Sequence, residues 1–330
     1  MILVTGGAGY IGSHTNKLLS NRGYQTVILD NLVYGHKAFV KWGQFIQGDL
    51  ADEQLLEMIF ADYPIDAVVH FAAFAYVGES MDNPSKYYRN NVMNTIHLLD
   101  AMNRHGCQKI VFSSSCTTYG IPVANPIMEE MEQNPISPYG QSKLMIEKIL
   151  ADYQKAYDLK YVVLRYFNAA GGDPDLEIGE WHEPETHIIP IVMEVCTGER
   201  SYVKVYGNDY HTPDGTCIRD YIHVCDLAKA HLLALYHLEN GGDSESLNLG
   251  NQRGYSVKEI IEAAKHVTGK DVRVEFTCRR PGDPDELVGG NLKAKSVLGW
   301  KPDYPDIETI IKHAWEWRNI LQKVREEEQN

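Results

Sequence analysis

Tyr139 and Lys143 stand four residues apart in the run Ser137-Pro138-Tyr139-Gly140-Gln141-Ser142-Lys143. A helix would place both on one face, with the ammonium beneath the phenol ring. A free tyrosine titrates near ~10 and is a poor base at neutral pH. A unit charge about 4 Å away, at an effective dielectric of ~20, is worth roughly 4 kcal/mol. That is about 3 pKa units. The spacing therefore predicts a phenol brought toward neutrality by Lys143, where general acid/base chemistry runs best. The same spacing occurs on ordinary exposed helices, so the surrounding elements decide its meaning.

The chain opens with Ile2-Leu3-Val4, a short apolar run that reads as a buried strand. Thr5-Gly6-Gly7-Ala8-Gly9-Tyr10-Ile11-Gly12 follows, and a helical pattern then runs from about Ile11 to Asn21. Glycines between a strand and a helix let the backbone approach a pyrophosphate at the positive end of the helix. Gly6, Gly9 and Gly12 are spaced G-x-x-G-x-x-G, one residue off the usual dinucleotide fingerprint. The next strand, Gln25–Leu29, ends at Asp30, 18 residues beyond Gly12. An acid at that offset accepts from a ribose 2′-hydroxyl and repels a 2′-phosphate. NAD is favoured over NADP. Lys37 lies beyond the immediate turn and weakens this only slightly.

Strand-like runs at Ile2–Thr5, Gln25–Leu29, Gln44–Gln47, Ala67–Phe71, Lys109–Ser113 and Tyr161–Leu164 alternate with helical patterns near Glu53–Ala61, Pro84–Arg104 and Tyr139–Tyr157. Such alternation predicts an α/β fold with a doubly wound parallel sheet of Rossmann type. Ligands then sit beyond the carboxyl ends of the strands. After Asn168 the texture becomes acidic and irregular as far as Glu185. The expected division is a dinucleotide-binding domain over residues 1–167 and a smaller mixed α/β lobe over 168–330. A segment near 221–238 is expected to return to the first domain. The charged last ten residues are expected to fray.

With 330 residues, 44% of them hydrophobic, the chain is long enough for a large core. A net charge of −14 with no basic run argues against nucleic acid and anionic membranes as partners. No apolar stretch approaches the ~18 residues that span a bilayer. The sequence begins directly with a core strand, so no signal peptide is expected. Six cysteines without a C-x-x-C fit reduced thiols in a cytoplasm, and no metal site is expected from them. His182, His187 and His211 form no ligand spacing with those cysteines and read as surface or satisfied histidines.

Together these motifs resemble the extended short-chain dehydrogenase/reductase family, and within it the branch that epimerises carbon 4 of UDP-sugars. The resemblance covers nearly the whole chain. It rests on TGGAGYIGSH from Thr5, LDN from Leu29, GDL from Gly48, HFAA from His70 and VGES from Val77. NNV from Asn90, FSSS from Phe112, SPYGQSK from Ser137 and RYFNAAG from Arg165 continue it. GNDYHTPDGTCIRDYIHV from Gly207, NLG from Asn248 and RRPGD from Arg279 complete it.

The resemblance implies that Tyr139 is the acid/base, that Lys143 lowers its pKa and holds the nicotinamide ribose, and that Ser115 binds the sugar hydroxyl. It implies that Tyr10, Ile11, Asp30, Asn31, Asp49, Leu50, Phe71, Ala72, Ala73, Asn90 and Phe167 join the three glycines around NAD. Asn168, His187, Ile188, Lys204, Tyr206, Arg219, Arg280 and Asp283 would meet the UDP-sugar. It further implies interconversion of UDP-glucose and UDP-galactose through a 4-keto sugar, and a homodimer packed through helices that include the one bearing Tyr139.

Four positions depart from, or vary within, that pattern. Ala75 stands where many members carry lysine, which puts one cofactor contact in doubt. His187 occupies a place where asparagine is also found. Leu287 varies between bulky and small side chains and leaves acceptance of an N-acetyl group open. Cys116 adjoins Ser115 and has no paired base to make it a nucleophile. Other readings are a 4-epimerase of UDP-GlcNAc, UDP-glucuronate or UDP-pentoses, a nucleotide-sugar 4,6-dehydratase, and a non-catalytic NAD-binding module. Cys116-Thr117-Thr118 offers no carboxylate for the dehydration. Retention of Tyr139, Lys143 and Ser115 together argues against the binding module.

Overall fold

Ile2, Leu3 and Val4 form a strand with no polar face, and all three are buried in β1 (Ile2–Thr5). A strand apolar on both sides suits the middle of a parallel sheet covered by helices. The computed structural model describes residues 1–280 and 282–329; Pro281, within the RRPGD run, and Asn330 lie outside the described residues. The strands that follow are β2 (Thr26–Asp30), β3 (Gln44–Gln47), β4 (Ala67–His70), β5 (Lys109–Ser115), β6 (Lys160–Tyr166) and β7 (Asn168–Ala170). The second half adds β8 (Val203–Tyr206), β9 (Ile218–His223), β10 (Glu245–Leu249), β11 (Gly254–Ser256), β12 (Val274–Thr277) and β13 (Glu286–Leu287). The helices are α1 (Tyr10–Asn21), α2 (Glu53–Asp62), α3 (Val77–Asp82), α4 (Pro84–Tyr87), α5 (Asn94–Arg104) and α6 (Pro138–Tyr157). Beyond them come α7 (Ile188–Thr197), α8 (Val224–Glu239), α9 (Val257–Thr268), α10 (Leu292–Leu298) and α11 (Ile307–Gln329).

The doubly wound sheet is present. Its 7 strands run in the order β10-β6-β5-β4-β1-β2-β3, every pair parallel. The order reverses between β1 and β4, which opens a crevice above their carboxyl ends. Alternation along β1 sends Val4 into a layer with Leu19 and Leu235, and Leu3 into the opposite layer with Leu56 and Leu98. Burying each such side chain contributes roughly 1.5–3 kcal/mol. The second half of the chain adds α8, packed on α1, and β10, paired with β6. The return to the first sheet thus extends past residue 238, because β10 follows α8 directly. The remaining lobe is built on β9, flanked by β7, β11 and β13, with a β8–β12 pair and a core of Ile189, Val192, Ile260 and Ile310.

Three local expectations change. Strands β5 and β6 run on to Ser115 and Tyr166, so the sheet itself carries the residues at its edge. The helical pattern over 84–104 is interrupted by a wide π turn at Tyr88–Met93. Asn91, within that turn, binds both backbone groups of Phe74 (2.9 and 3.0 Å) and the Ser142 hydroxyl (3.1 Å). The charged C-terminus remains helical in α11, where Glu328 accepts from the Ala38 amide at 3.0 Å.

Candidate active site

Ser115 closes β5, and α6 begins across the crevice from it. Pro138 opens the first turn, where its missing N–H is no loss, and the Ser137 hydroxyl caps the Gly140 amide at 3.1 Å. Tyr139 thereby stands at the helix start, and Lys143 lies one turn deeper, fully buried. The Lys143 ammonium donates to the Ser113 carbonyl at 2.7 Å and lies 5.9 Å from the Tyr139 ring centre. Ser115 accepts from the amide and the hydroxyl of Thr117 at 3.2 and 3.0 Å.

The electrostatics correct the opening expectation. Burial pushes the Tyr139 phenol up to about 12, and the Ser115 hydroxyl works the other way. Burial pushes Lys143 down to about 7, and Glu147 works against that. Burial is the largest influence on the phenol, and the Lys143 ammonium is tied to the Ser113 carbonyl. A positive charge brought close to Tyr139 would favour its phenolate.

Below Lys143, α6 presents Glu147 to Arg165 of β6. The two are nearly enclosed and meet at 2.6 Å, with a second contact at 3.0 Å. Glu147 also accepts from the Ser114 hydroxyl (2.5 Å), and Arg165 donates to the Tyr119 hydroxyl (2.8 Å), which donates in turn to Asn248 of β10 at 2.8 Å. This pair locks the neighbour of Ser115 to the helix of Tyr139.

The glycine loop is built for close approach. A Cβ on Gly12 would lie 2.2 Å from the Gly6 carbonyl oxygen, and one on Gly6, at φ +70°, would lie 2.7 Å from the Ala72 nitrogen. At the end of β2 the buried Asp30 accepts from the amides of Ala8 (3.0 Å) and Leu32 (2.8 Å). Asn31 donates to Asp49 at 2.6 Å. Among the described residues, no basic side chain lines the cleft beside Asp30, and Lys37 lies outside it. A dinucleotide without a 2′-phosphate fits this cradle.

All of the residues assigned from the sequence to NAD, the UDP-sugar or the acid/base, from Gly6 to Asp283, line one continuous cleft of about 2010 Å³ between the sheet and the lobe. On the lobe side, Asn168 donates to the Asp220 carbonyl at 3.0 Å. Arg219 is paired with Asp283 and donates to the Pro284 carbonyl at 2.9 Å. Arg280 lies 4.0 Å over the Tyr206 ring. Leu287 is in register with Arg219, and Ala75 also borders the cleft. Cys116 is buried and pushed up to about 12 by desolvation, a neutral thiol.

The sequence reading missed Glu147 and Arg165, and it missed the gathering of Glu180, His182, Glu185 and His187, whose ligand atoms lie within 4.8 Å of one another. His187 was singled out, but its neighbours sit in a segment without periodicity. The only signal there was the density of glutamate and histidine.

A family model for the NAD dependent epimerase/dehydratase family matches residues 2–250. The chain is 54% identical over 316 residues to a UDP-glucose 4-epimerase of Halalkalibacterium halodurans, covering 96% of this chain and 95% of that one. It is similar to the crystal structure of the UDP-glucose 4-epimerase of Brucella ovis in complex with NAD, with a TM-score of 0.94, 52% identity and coverage of 96% and 97%. The enzyme of Bifidobacterium longum, in complex with NAD+ and UDP, matches with a TM-score of 0.92 and 40% identity over 96% and 98% of the two chains.

Proposed function

The chain belongs to the NAD dependent epimerase/dehydratase family, and we propose that it interconverts UDP-glucose and UDP-galactose by epimerisation at carbon 4. One observation carries this reading: Tyr139, Ser115 and Lys143 stand in a single cleft between the glycine cradle with Asp30 and the arginines Arg219 and Arg280. A redox cofactor and a nucleotide diphosphate can meet there over one acid/base.

Tyr139 as phenolate takes the proton of the sugar 4-hydroxyl, which Ser115 holds. Bound NAD supplies the place where the hydride of carbon 4 is kept while that carbon is a carbonyl. The 4-keto sugar turns over within the cleft, so that the same hydride comes back to the opposite face of carbon 4 while Tyr139 returns the proton to the carbon-4 oxygen. No net redox change results. A positive nicotinamide ring bound beside Tyr139 would favour its phenolate. Asp30 and the three glycines hold the adenosine half, with Asn31, Asp49, Leu50, Phe71 and Asn90 around it. Arg219, Arg280 and Asp283 hold the nucleotide diphosphate and ribose, where an acidic protein needs local cations.

On this reading residues 1–167, with α8 and β10, bind NAD, and the rest of 168–330 binds the nucleotide sugar. The protein works in the cytoplasm, as its free cysteines suit. It forms a homodimer through the helical face bearing α6, near which Met93 and Tyr157 are exposed. No helix among the described residues is long and apolar enough to cross a membrane.

The test is an assay over UDP-glucose, UDP-galactose, UDP-GlcNAc, UDP-glucuronate and a UDP-pentose without added NAD. Turnover of the first two is expected. A stable 4-keto-6-deoxy product, or no turnover of either hexose, defeats the proposal.

A further inference from the structure

We propose that Glu180 is a positioning residue: its buried carboxylate, with Glu185 beside it, holds His187 and His182 as imidazolium ions that meet the diphosphate of the nucleotide sugar. This rests on the nucleotide-sugar reading above and adds to it the groups that set the charge of that subsite. Glu180 Oε1 lies 2.5 Å from His187 Nδ1 and 3.4 Å from His182 Nδ1, and Glu185 lies 3.6 Å from the latter. Exposure runs one way through the cluster. The carboxylate side chains are 4% and 6% exposed, and the His187 imidazole is 48% exposed. The anions are behind and the cation faces the cleft. The second oxygen of Glu180 and His182 Nδ1 have no hydrogen-bond partner, so among the described residues His187 is the one group hydrogen-bonded to this buried carboxylate.

His187 is also the N-cap of α7, a helix of 10 residues whose positive end favours an anion there, so the carboxylates hold the imidazolium against that end. Other titratable groups around the pair add no net charge to it. Tyr10 on α1 and Tyr76 before α3 place their rings 6.0 and 6.5 Å from that of His182, and burial pushes both phenols up. Glu183 is engaged by Trp181 and Arg325, and His36 stacks on Trp181. The carboxylates raise both imidazoles above their ordinary range against the pull of burial. A metal centre does not account for the closest contact. Two ligands on one zinc ion, each about 2.1 Å from it, stand roughly 3.4 Å apart. Glu180 and His182 stand at that spacing, but Glu180 and His187, at 2.5 Å, are closer than two ligands of one ion and are in hydrogen-bond contact.

Calorimetric binding of UDP to the NAD-containing enzyme, between pH 5.5 and 8.5, tests the inference. Wild-type affinity is expected to fall less from pH 5.5 to 8.5 than that of Glu180→Gln. Glu180→Gln is expected to match it at pH 5.5 and to be about tenfold weaker at pH 7.5, where an imidazole titrating near ~6.5 is about one-tenth protonated. His187→Gln keeps a donor without the charge and is expected to be weaker at every pH. It tests the charge even if Glu180→Gln does not fold. Bound NAD should be unchanged in both variants.

A Glu180→Gln defect of equal size at all pH values, wild-type affinity in His187→Gln, or a loss of NAD in place of UDP affinity overturns the inference. So does one transition-metal ion per chain that Glu180→Gln abolishes. A wild-type enzyme that neither binds UDP nor epimerises would instead defeat the underlying reading.

Discussion

The Lys143 ammonium donates to the Ser113 carbonyl at 2.7 Å and lies 5.9 Å from the Tyr139 ring centre, so the lysine is anchored to the strand and not to the phenol it was expected to charge. Burial pushes the phenol up to about 12, and a cation brought close to it would lower it. Oxidised nicotinamide carries a positive charge and reduced nicotinamide does not. The Tyr139 pKa should therefore be lower with NAD+ than with NADH. Ultraviolet titration of the two redox forms, with Tyr139→Phe as blank, is expected to show more phenolate at neutral pH in the oxidised form. Equal phenolate in both forms would sink the idea.

The hydroxyl itself should be indispensable. Tyr139→Phe is expected to keep its NAD, because the cradle of Gly6, Gly12 and Asp30 is untouched. It is expected to lose about 10²–10⁴ in kcat, the range for a positioned general acid/base. A variant within about tenfold of wild type would remove Tyr139 from the mechanism.

Gly12 lets the first helix turn pass the Gly6 carbonyl, where an added Cβ would lie at 2.2 Å. Backbone on both sides leaves no flexible atom to give way. Gly12→Ala is expected to purify with little NAD, measured by cofactor release and absorbance. Full occupancy in that variant would show that the loop relaxes without cost to the cradle.

How far these features were legible in the sequence follows from how local their causes are. Ile2-Leu3-Val4, the glycine spacing and Asp30 are short-range signals, and the doubly wound order follows from strand–helix alternation. The strand edge at Ser115 was placed two residues early because serines carry no apolar signal. β10 could not be assigned to the first sheet, since its partner β6 lies some eighty residues away and periodicity does not report pairing. The sign of the Tyr139 shift was missed for a related reason: spacing along a helix says nothing of burial. Glu147 and Arg165 each read as ordinary charges until the fold brought them together.

That pair makes a stability prediction. Both partners are nearly enclosed, and removing one leaves the other as an uncompensated buried charge. Glu147→Gln is expected to lower stability by about 3–5 kcal/mol in denaturant titration. Replacing both, as Glu147→Leu with Arg165→Met, should recover much of that loss, because the desolvation of two ions is then relieved. A single variant within about 1 kcal/mol of wild type would mean that water reaches the site.

His231, on α8, is packed between Phe71 and Tyr166, and its Nδ1–H donates to the Leu227 carbonyl at 2.8 Å. Burial lowers it to about 4. The unfolded chain takes up this proton below ~6.5 and the folded one only near 4, so the folded state loses about 1.4 kcal/mol per pH unit as pH falls through that window. Above it, the group has no effect. His14 and His70, lowered to about 4 and about 3 by burial, act in the same sense. Asp220 and Asp226, raised to about 7 and about 6 by burial, act in the opposite sense because they bind protons more readily when folded. The wild-type curve mixes these contributions, and the difference between wild type and His231→Leu isolates one. Denaturant unfolding at pH 6.5 and 4.5 is expected to show a loss of stability smaller by about 2–3 kcal/mol in the variant. Parallel losses in the two proteins would show that His231 is already protonated, or already wet, in the folded state.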